Sequence, residues 1–386
     1  MHLNHLVLRN FRNYVDCEID FPNRVNLITG GNAQGKTSLL EAIYFLSTAK
    51  SHRAYPNDEL IRHNESWFYL KGIIATDIKR NNPSTDLMTL EVSSQLQGQK
   101  RFKLNGDLQQ RLSQWMGQFK VVFFSPESLF LVKGTPADRR RFIDLLICQI
   151  HAVYLVQLQD YQSALKQRNE LLKQIRSNQA SSDMLEAWNG LLVDNGISII
   201  QTRSQILSRL QAFAREKHAA LTGNSEQLEL KYHPLPALEG LDVMDRSDAI
   251  TRFRKALEDS RRDDILRGTT SIGPHRDDIK LLLETKKQGV MFREEAKPYA
   301  SQGQQRTVAL TLKLSELEVI HQTTGTPPIV LLDDVISELD ENRTAFLLDL
   351  LQRLNAQTFI TATQQGVLPG ELPDCSVLTV DDGTVG

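Results

Sequence analysis

The run Gly30-Gly31-Asn32-Ala33-Gln34-Gly35-Lys36-Thr37 matches the spacing G-x-x-x-x-G-K-[ST] without a mismatch. Such a loop binds phosphate. Its glycines let successive backbone N–H groups turn inward onto phosphate oxygens. Lys36 is placed to reach the β- and γ-phosphates of a nucleoside triphosphate, and the Thr37 hydroxyl to bind Mg²⁺. A second set of residues supplies acid. The apolar run Ile329-Val330-Leu331-Leu332 ends in Asp333-Asp334. A buried strand of this kind delivers Asp333 to a sheet edge, where its carboxylate would hold Mg²⁺ opposite Thr37, and Asp334 could orient or deprotonate an attacking water. A third set, Ser301-Gln302-Gly303-Gln304, opens a helical pattern and would form an anion site at the helix N-terminus.

These residues need particular elements to position them. Val25, Leu27 and Ile28 read as a buried strand feeding the loop, and Leu39, Leu40, Ile43 and Leu46 recur at helical spacing after it. Strand, glycine turn and helix together make the phosphate cradle. The helix start adds roughly half a positive charge. Residues 3–8 predict a strand, and Asp16, Glu18 and Asp20 alternating with Cys17, Ile19 and Phe21 predict another with one wet face. Residues 67–75, 87–94 and 100–104 read as further strands. Asn105-Gly106 is a hairpin signal, and Val121-Val122-Phe123-Phe124 reads as a buried strand ended by Ser125-Pro126. The pattern changes at Thr135-Pro136, a helix start with an acid three residues after the cap. Apolar residues at helical spacing run to Ile175, break at residues 177–182, and resume from Leu185 to Phe213. The expectation is two long antiparallel helices of roughly 50–60 Å each, with Gly190 and Gly196 as points of interruption in the second. Strand character returns from Ser271 and ends in a short strand at residues 358–363.

Composition excludes several classes. The 386 residues allow two or more domains, and Lys+Arg 45 against Asp+Glu 47 leaves a net charge of −2. Binding to a nucleic acid would therefore require a local basic cluster. Cys17, Cys148 and Cys375 have neither metal-site nor disulfide-framework spacing, which suits a reducing cytoplasm. No apolar run reaches the roughly 18 residues of a membrane helix. The N-terminus Met-His-Leu-Asn-His predicts no signal peptide.

The order of these parts resembles the ABC-type ATPases, and more narrowly the SMC-like heads: phosphate loop early, signature and Asp strand late, helical insertion between. Within that group the chain resembles the RecF family. The resemblance rests on Leu8-Arg9-Asn10-Phe11-Arg12-Asn13-Tyr14, the loop, Lys50-Ser51-His52-Arg53, Phe124-Ser125-Pro126-Glu127 and Lys133-Gly134-Thr135-Pro136 with Arg139-Arg140-Arg141. It extends to Gly273-Pro274-His275-Arg276, Ala300 to Arg306, and Leu332-Asp333-Asp334-Val335-Ile336-Ser337-Glu338-Leu339-Asp340. It implies an α/β, SMC-like P-loop ATPase head of mixed sheet and helices with an inserted α-helical arm. It further implies a slow ATPase using ATP and Mg²⁺ that dimerises when ATP is bound. Such a protein binds single-stranded DNA and gaps or junctions, and acts with RecR and RecO to load RecA. The expected head is residues 1–134 with 268–386, and the expected arm is 135–267.

Two residues depart from the wider ABC pattern. Asp334 stands where transporters usually have Glu, and Thr363 stands where they place a switch His. Both point to slow hydrolysis, with Glu338 as the rival base to Asp334. In a symmetric dimer, Ser301, Gln302, Gly303 and Gln304 would meet the γ-phosphate held by the other copy. For DNA, Arg53, Arg139, Arg140 and Arg141 are the nominated contacts. The alternative for these arginines is pairing with acids such as Asp138 and Asp144, or contact with ATP or the partner head. Two rival functions are weighed: the ATPase subunit of a transporter, and an ATP-binding protein without a DNA role.

Overall fold

A computed structural model describes residues 1–53, 57–76, 87–234, 238, 245–287, 290–363 and 374–386. The chain forms two units, Met1–Ser128 with Leu310–Gly386, and Leu129–Ala309.

The first unit contains two sheets. Strands β1 (His2–Phe11), β2 (Tyr14–Asp20), β4 (Trp67–Ala75), β5 (Leu87–Gln95), β6 (Arg101–Leu104) and β7 (Asp107–Leu108) form an antiparallel sheet in the order β2-β1-β4-β5-β6-β7. The alternation of β4 and β5 between buried and half-exposed positions is the period of two seen in the sequence. The second sheet holds β3 (Val25–Thr29), β8 (Val121–Phe124), β12 (Ile329–Leu332), β13 (Thr358–Ala362), β14 (Cys375–Asp381) and β15 (Thr384–Val385), in the order β15-β14-β3-β13-β12-β8. All its pairings are parallel except the terminal β14–β15 hairpin. β8 and β12 are buried along their whole length, as expected for parallel strands covered on both faces. Helix α1 (Lys36–Thr48) packs against strands of both sheets. Its Leu39, Leu40, Ile43 and Leu46 are fully buried with Leu6, Phe68, Leu331 and Phe359 in one core.

The second unit carries helices α2 (Pro136–Ile150), α3 (Ala152–Arg176), α4 (Leu185–Leu221), α5 (Arg246–Asp259) and α6 (Arg261–Arg267). Its sheet is β9 (Glu226–His233), β10 (Asp278–Lys287) and β11 (Val290–Glu295), in the order β11-β10-β9. Two expectations are corrected. The first long helix is two helices, because His151 adopts an extended backbone between them. The bend lets Tyr154 donate to Asp144 at 2.5 Å, and the buried Arg203 joins the same carboxylate at 2.8 and 2.9 Å. The second helix is continuous over 37 residues, about 55 Å, with no break at either glycine. A Cβ at Gly196 would lie 2.6 Å from the Phe253 ring, so that glycine serves close helix packing. The unit boundary also differs from the expected head and arm. Residues 268–309 group with the helices because β10 pairs with β9 and because Asp278 binds Arg139.

Candidate functional site: a phosphate loop and its acids

The phosphate loop joins β3 to α1. Gly30 has φ 145° and Gly35 φ 120°, backbone that side chains rarely adopt. Space is short as well: a Cβ at Gly30 would meet the Val380 carbonyl oxygen at 2.2 Å, and one at Gly35 the Asn13 amide at 2.6 Å. The buried Lys36 ammonium donates to the carbonyls of Gly30 and Gly31, both at 2.7 Å. Residues unassigned by the sequence brace the loop from outside. Asn13 Nδ2 donates to the Gln34 carbonyl at 2.8 Å and the Tyr14 hydroxyl to the Gly35 carbonyl at 3.1 Å. From the β14–β15 turn, the Gly383 N–H donates to the Gln34 carbonyl at 3.0 Å, and the Asp382 N–H to its side-chain oxygen at 2.6 Å.

The acids arrive on the same sheet. Because β3, β13 and β12 are parallel neighbours, their C-terminal ends converge beside the loop. The Thr37 hydroxyl donates to Asp333 Oδ1 at 2.9 Å, and the Thr361 hydroxyl to the same atom at 3.0 Å. Burial pushes the Asp333 pKa up, opposed by these two hydrogen bonds and by Arg53. A hydroxyl and a carboxylate oxygen side by side are hard donors that fit Mg²⁺, which takes few protein ligands and keeps water. Asp334 is exposed, holds φ 53°, and donates its N–H to Thr361 at 2.9 Å. With Lys36 and Thr37 it lines a cavity of about 880 Å³ that also includes Asn32, Ala33, Arg53, Arg62 and Asn64.

Arg53 belongs to this site. Its Nε lies 3.3 Å from Glu127 and its Nη2 3.7 Å from Asp333, so the residue expected to contact DNA stands beside the candidate metal-binding carboxylate. Nearby, Arg12 donates to both oxygens of the buried Glu41, at 2.7 and 2.9 Å, and Ser51 binds the same carboxylate. His52 packs edge-on between Tyr44 and Phe123, and burial lowers its pKa to about 4.

In the second unit, Ser301 precedes the helix α7 (Gln302–Thr324). The Ser301 N–H donates to Gln304 Oε1 at 2.8 Å, and the Gln304 N–H to the Ser301 hydroxyl at 3.2 Å. This is a reciprocal capping box, with Ser301, Gln302 and Gly303 exposed. Among the described residues, a Cβ at Gly303 would meet nothing closer than 4.0 Å. A glycine in a first helical turn costs about 1 kcal/mol against alanine. Here no internal contact requires it, which leaves open backbone to an outside group.

The arginine cluster divides. Arg139 is buried and gives Asp278 two hydrogen bonds of 2.8 Å, so it cannot present to DNA as nominated. Arg140 is half-buried and donates to the Asp277 carbonyl. Arg141 is exposed. Of the acids considered as partners, Asp138 caps Thr135 and also feels the charge of Arg141, and Asp144 binds Arg203.

The mixed sheet, the phosphate loop and the acid-ended β12 define an ABC-class, SMC-type ATPase head. The family profile described as "RecF/RecN/SMC N terminal domain" matches residues 2–383. The chain is 41% identical over 387 aligned residues to "DNA replication and repair protein RecF" of Bacillus cereus (strain G9842), covering 100% of this chain and 98% of that protein. The same figures hold for the protein of that name from Bacillus thuringiensis (strain Al Hakam). A solved structure of the recombination mediator RecF with ATP, in the RecFOR pathway, superposes with a TM-score of 0.88 at 33% identity, covering 100% and 97% of the two chains. The Smc head of Pyrococcus furiosus bound to the C-terminal domain of ScpA gives 0.54 at 16% identity, covering 100% and 95%, a likeness of fold alone. The chain belongs to the RecF family. Among the described residues, no helix is long and apolar enough to cross a membrane.

Proposed function

We propose that this chain is an ATP-dependent DNA-binding switch of recombinational repair and replication restart, in which two copies close around two ATP molecules. What supports the reading is that each unit has one set of groups suited to phosphate. Lys36, Thr37 and Asp333 would make one face for a triphosphate, and the exposed, serine-capped start of α7 with Gly303 would make the other. A phosphate loop engages one side of a triphosphate, and a C₂ pair supplies the second side from the same sequence. Lys36 would exchange its two carbonyl partners for phosphate oxygens. Thr37 and Asp333 would hold Mg²⁺, which neutralises phosphate charge when bound. Asp334 would orient the attacking water and accept its proton. A carboxylate shorter than Glu, and Thr363 in the place of a switch histidine, support slow hydrolysis suited to a timer. The names of the relatives, a replication and repair protein and a recombination mediator of the RecFOR pathway, support a role in DNA repair within that pathway; on this reading the chain acts at gaps and single-strand/double-strand junctions with RecR and RecO, upstream of RecA.

The test is light scattering with a slowly hydrolysed ATP analogue, together with ATP turnover on gapped, single-stranded and blunt duplex DNA. The mass should double only with nucleotide, DNA should raise turnover, and Lys36→Met should abolish both with circular dichroism unchanged. A dimer formed equally well without nucleotide, or normal turnover in Lys36→Met, overturns the reading.

A further inference from the structure

The capping box at Ser301 uses only half of the Gln304 amide. Its Oε1 accepts from the Ser301 N–H, and its Nε2 is turned inward, where it donates to Glu226 Oε1 at 2.8 Å. Glu226 is the first residue of β9, and its side chain is 16% exposed. Its second oxygen, Oε2, lies 3.2 Å from Nε2 of His218, a fully buried residue in the last turn of α4. One carboxylate therefore joins three elements: the end of the longest helix, the start of β9, and the segment that opens α7. In a capping box of this type the glutamine amide is ordinarily free to turn toward water. Here both of its ends are committed, so the rotamer of Gln304, and with it the acceptor that holds the Ser301 N–H, is fixed from outside the helix.

We propose that Glu226 is a positioning residue for the Ser301–Gln304 segment, and that it ties this segment to the end of α4 through His218. The inference rests on the proposed role of that segment as the second face of the triphosphate site. Glu226 touches no nucleotide in this account. It acts by holding Gln304, and a hydrogen bond to a charged group is strong enough to hold one rotamer against its alternatives.

The test compares Glu226→Ala, Glu226→Gln and Ser301→Arg in the full chain. Glu226→Ala should bind a fluorescent ATP analogue as the wild type does. It should show faster hydrogen exchange at the Gln304 amide, and should raise the dissociation constant of the ATP-dependent dimer by about 10- to 100-fold. Glu226→Gln keeps an acceptor for Gln304 and should recover most of the association. Should Glu226→Ala fail to fold, the pair can be exchanged. Gln304→Glu sets two carboxylates against each other and should weaken the dimer, and adding Glu226→Gln should restore it. Wild-type association in Glu226→Ala while Ser301→Arg stays monomeric overturns the role of Glu226. So does an exchanged pair that restores nothing. If Ser301→Arg also dimerises normally with ATP, the reading of the segment itself fails instead.

Discussion

Asp334 and His52 lead to tests at single residues. Asp334 lines the cavity with Lys36, and its N–H is held by Thr361, so its side chain can change while that backbone contact is kept. Asp334→Asn should keep ATP affinity and the dimer while slowing hydrolysis by about 10²-fold or more, read by single-turnover assay. Hydrolysis at the wild-type rate would move the base to Glu338 or another group. His52 gives a pH signature. Its pKa is about 4 in the fold against 6.5 in an open chain, so between those values the unfolded state binds the additional proton. Stability contributed by neutral His52 is therefore present above about pH 6.5 and declines as pH falls toward 4. A displacement of that size corresponds to about 3 kcal/mol. Urea unfolding of His52→Phe across this window should show a shallower fall than the wild type, with the slope from His275, lowered to about 4 by burial, still present. An unchanged slope would show that His52 is not buried neutral. At this scale Lys36, Thr37 and Asp333 were legible because each sits in a short contiguous pattern. The braces on the loop were not: Asp382 reaches Gln34 across 348 residues, and no local spacing encodes such a contact. Arg139 follows the alternative, pairing with an acid, but its partner Asp278 lies 139 residues on, where no local spacing points to it.

At the scale of elements, the strands and α1 followed from periodicity and turn chemistry, and the helix ends did not. The apolar stripe runs through His151 without a break, and neither Gly nor Pro marks the bend; a buried Arg203–Asp144–Tyr154 cluster sets it. Conversely, Gly190 and Gly196 looked like breaks, yet α4 passes through both, because its packing outweighs a propensity cost of about 1 kcal/mol each. The two glycines should respond oppositely to alanine. Gly190 has nothing within 4 Å of a Cβ, so Gly190→Ala should stabilise by about 0.5–1 kcal/mol. Gly196→Ala would place a methyl 2.6 Å from the fully buried Phe253 and should destabilise by about 1–3 kcal/mol. Thermal unfolding of the two variants checks the pair, and equal shifts would show that α4 and α5 are not closely packed at that point.

For the whole molecule, a net charge of −2 means that any DNA contact depends on a local basic surface. With Arg139 buried and Arg53 at the phosphate site, Arg140 and Arg141 remain from the original nomination. Replacing both with Glu should lower affinity for gapped DNA and flatten its salt dependence, since each neutralised phosphate releases counterions, while ATP-driven dimerisation survives. An unchanged salt slope would place the DNA surface elsewhere. The two-unit division was only partly legible: the sequence shows where helices replace strands, but the grouping of residues 268–309 with the helices is decided by the pairing of β9 with β10.

The sheet order also fixes a timetable. β3, which carries the phosphate loop, lies between β13 and β14 in its sheet, and the hydrogen bond from Thr29 to Leu378 spans 349 residues. At a synthesis rate of roughly 5–20 residues per second, that partner follows β3 by roughly 20–70 s. Strand β1 pairs with β2 and with β4 long before, and the helical unit is complete in the interval. On the ribosome, the nucleotide pocket is therefore among the last parts of the molecule to close, and the nascent chain can acquire its arm before it can hold ATP.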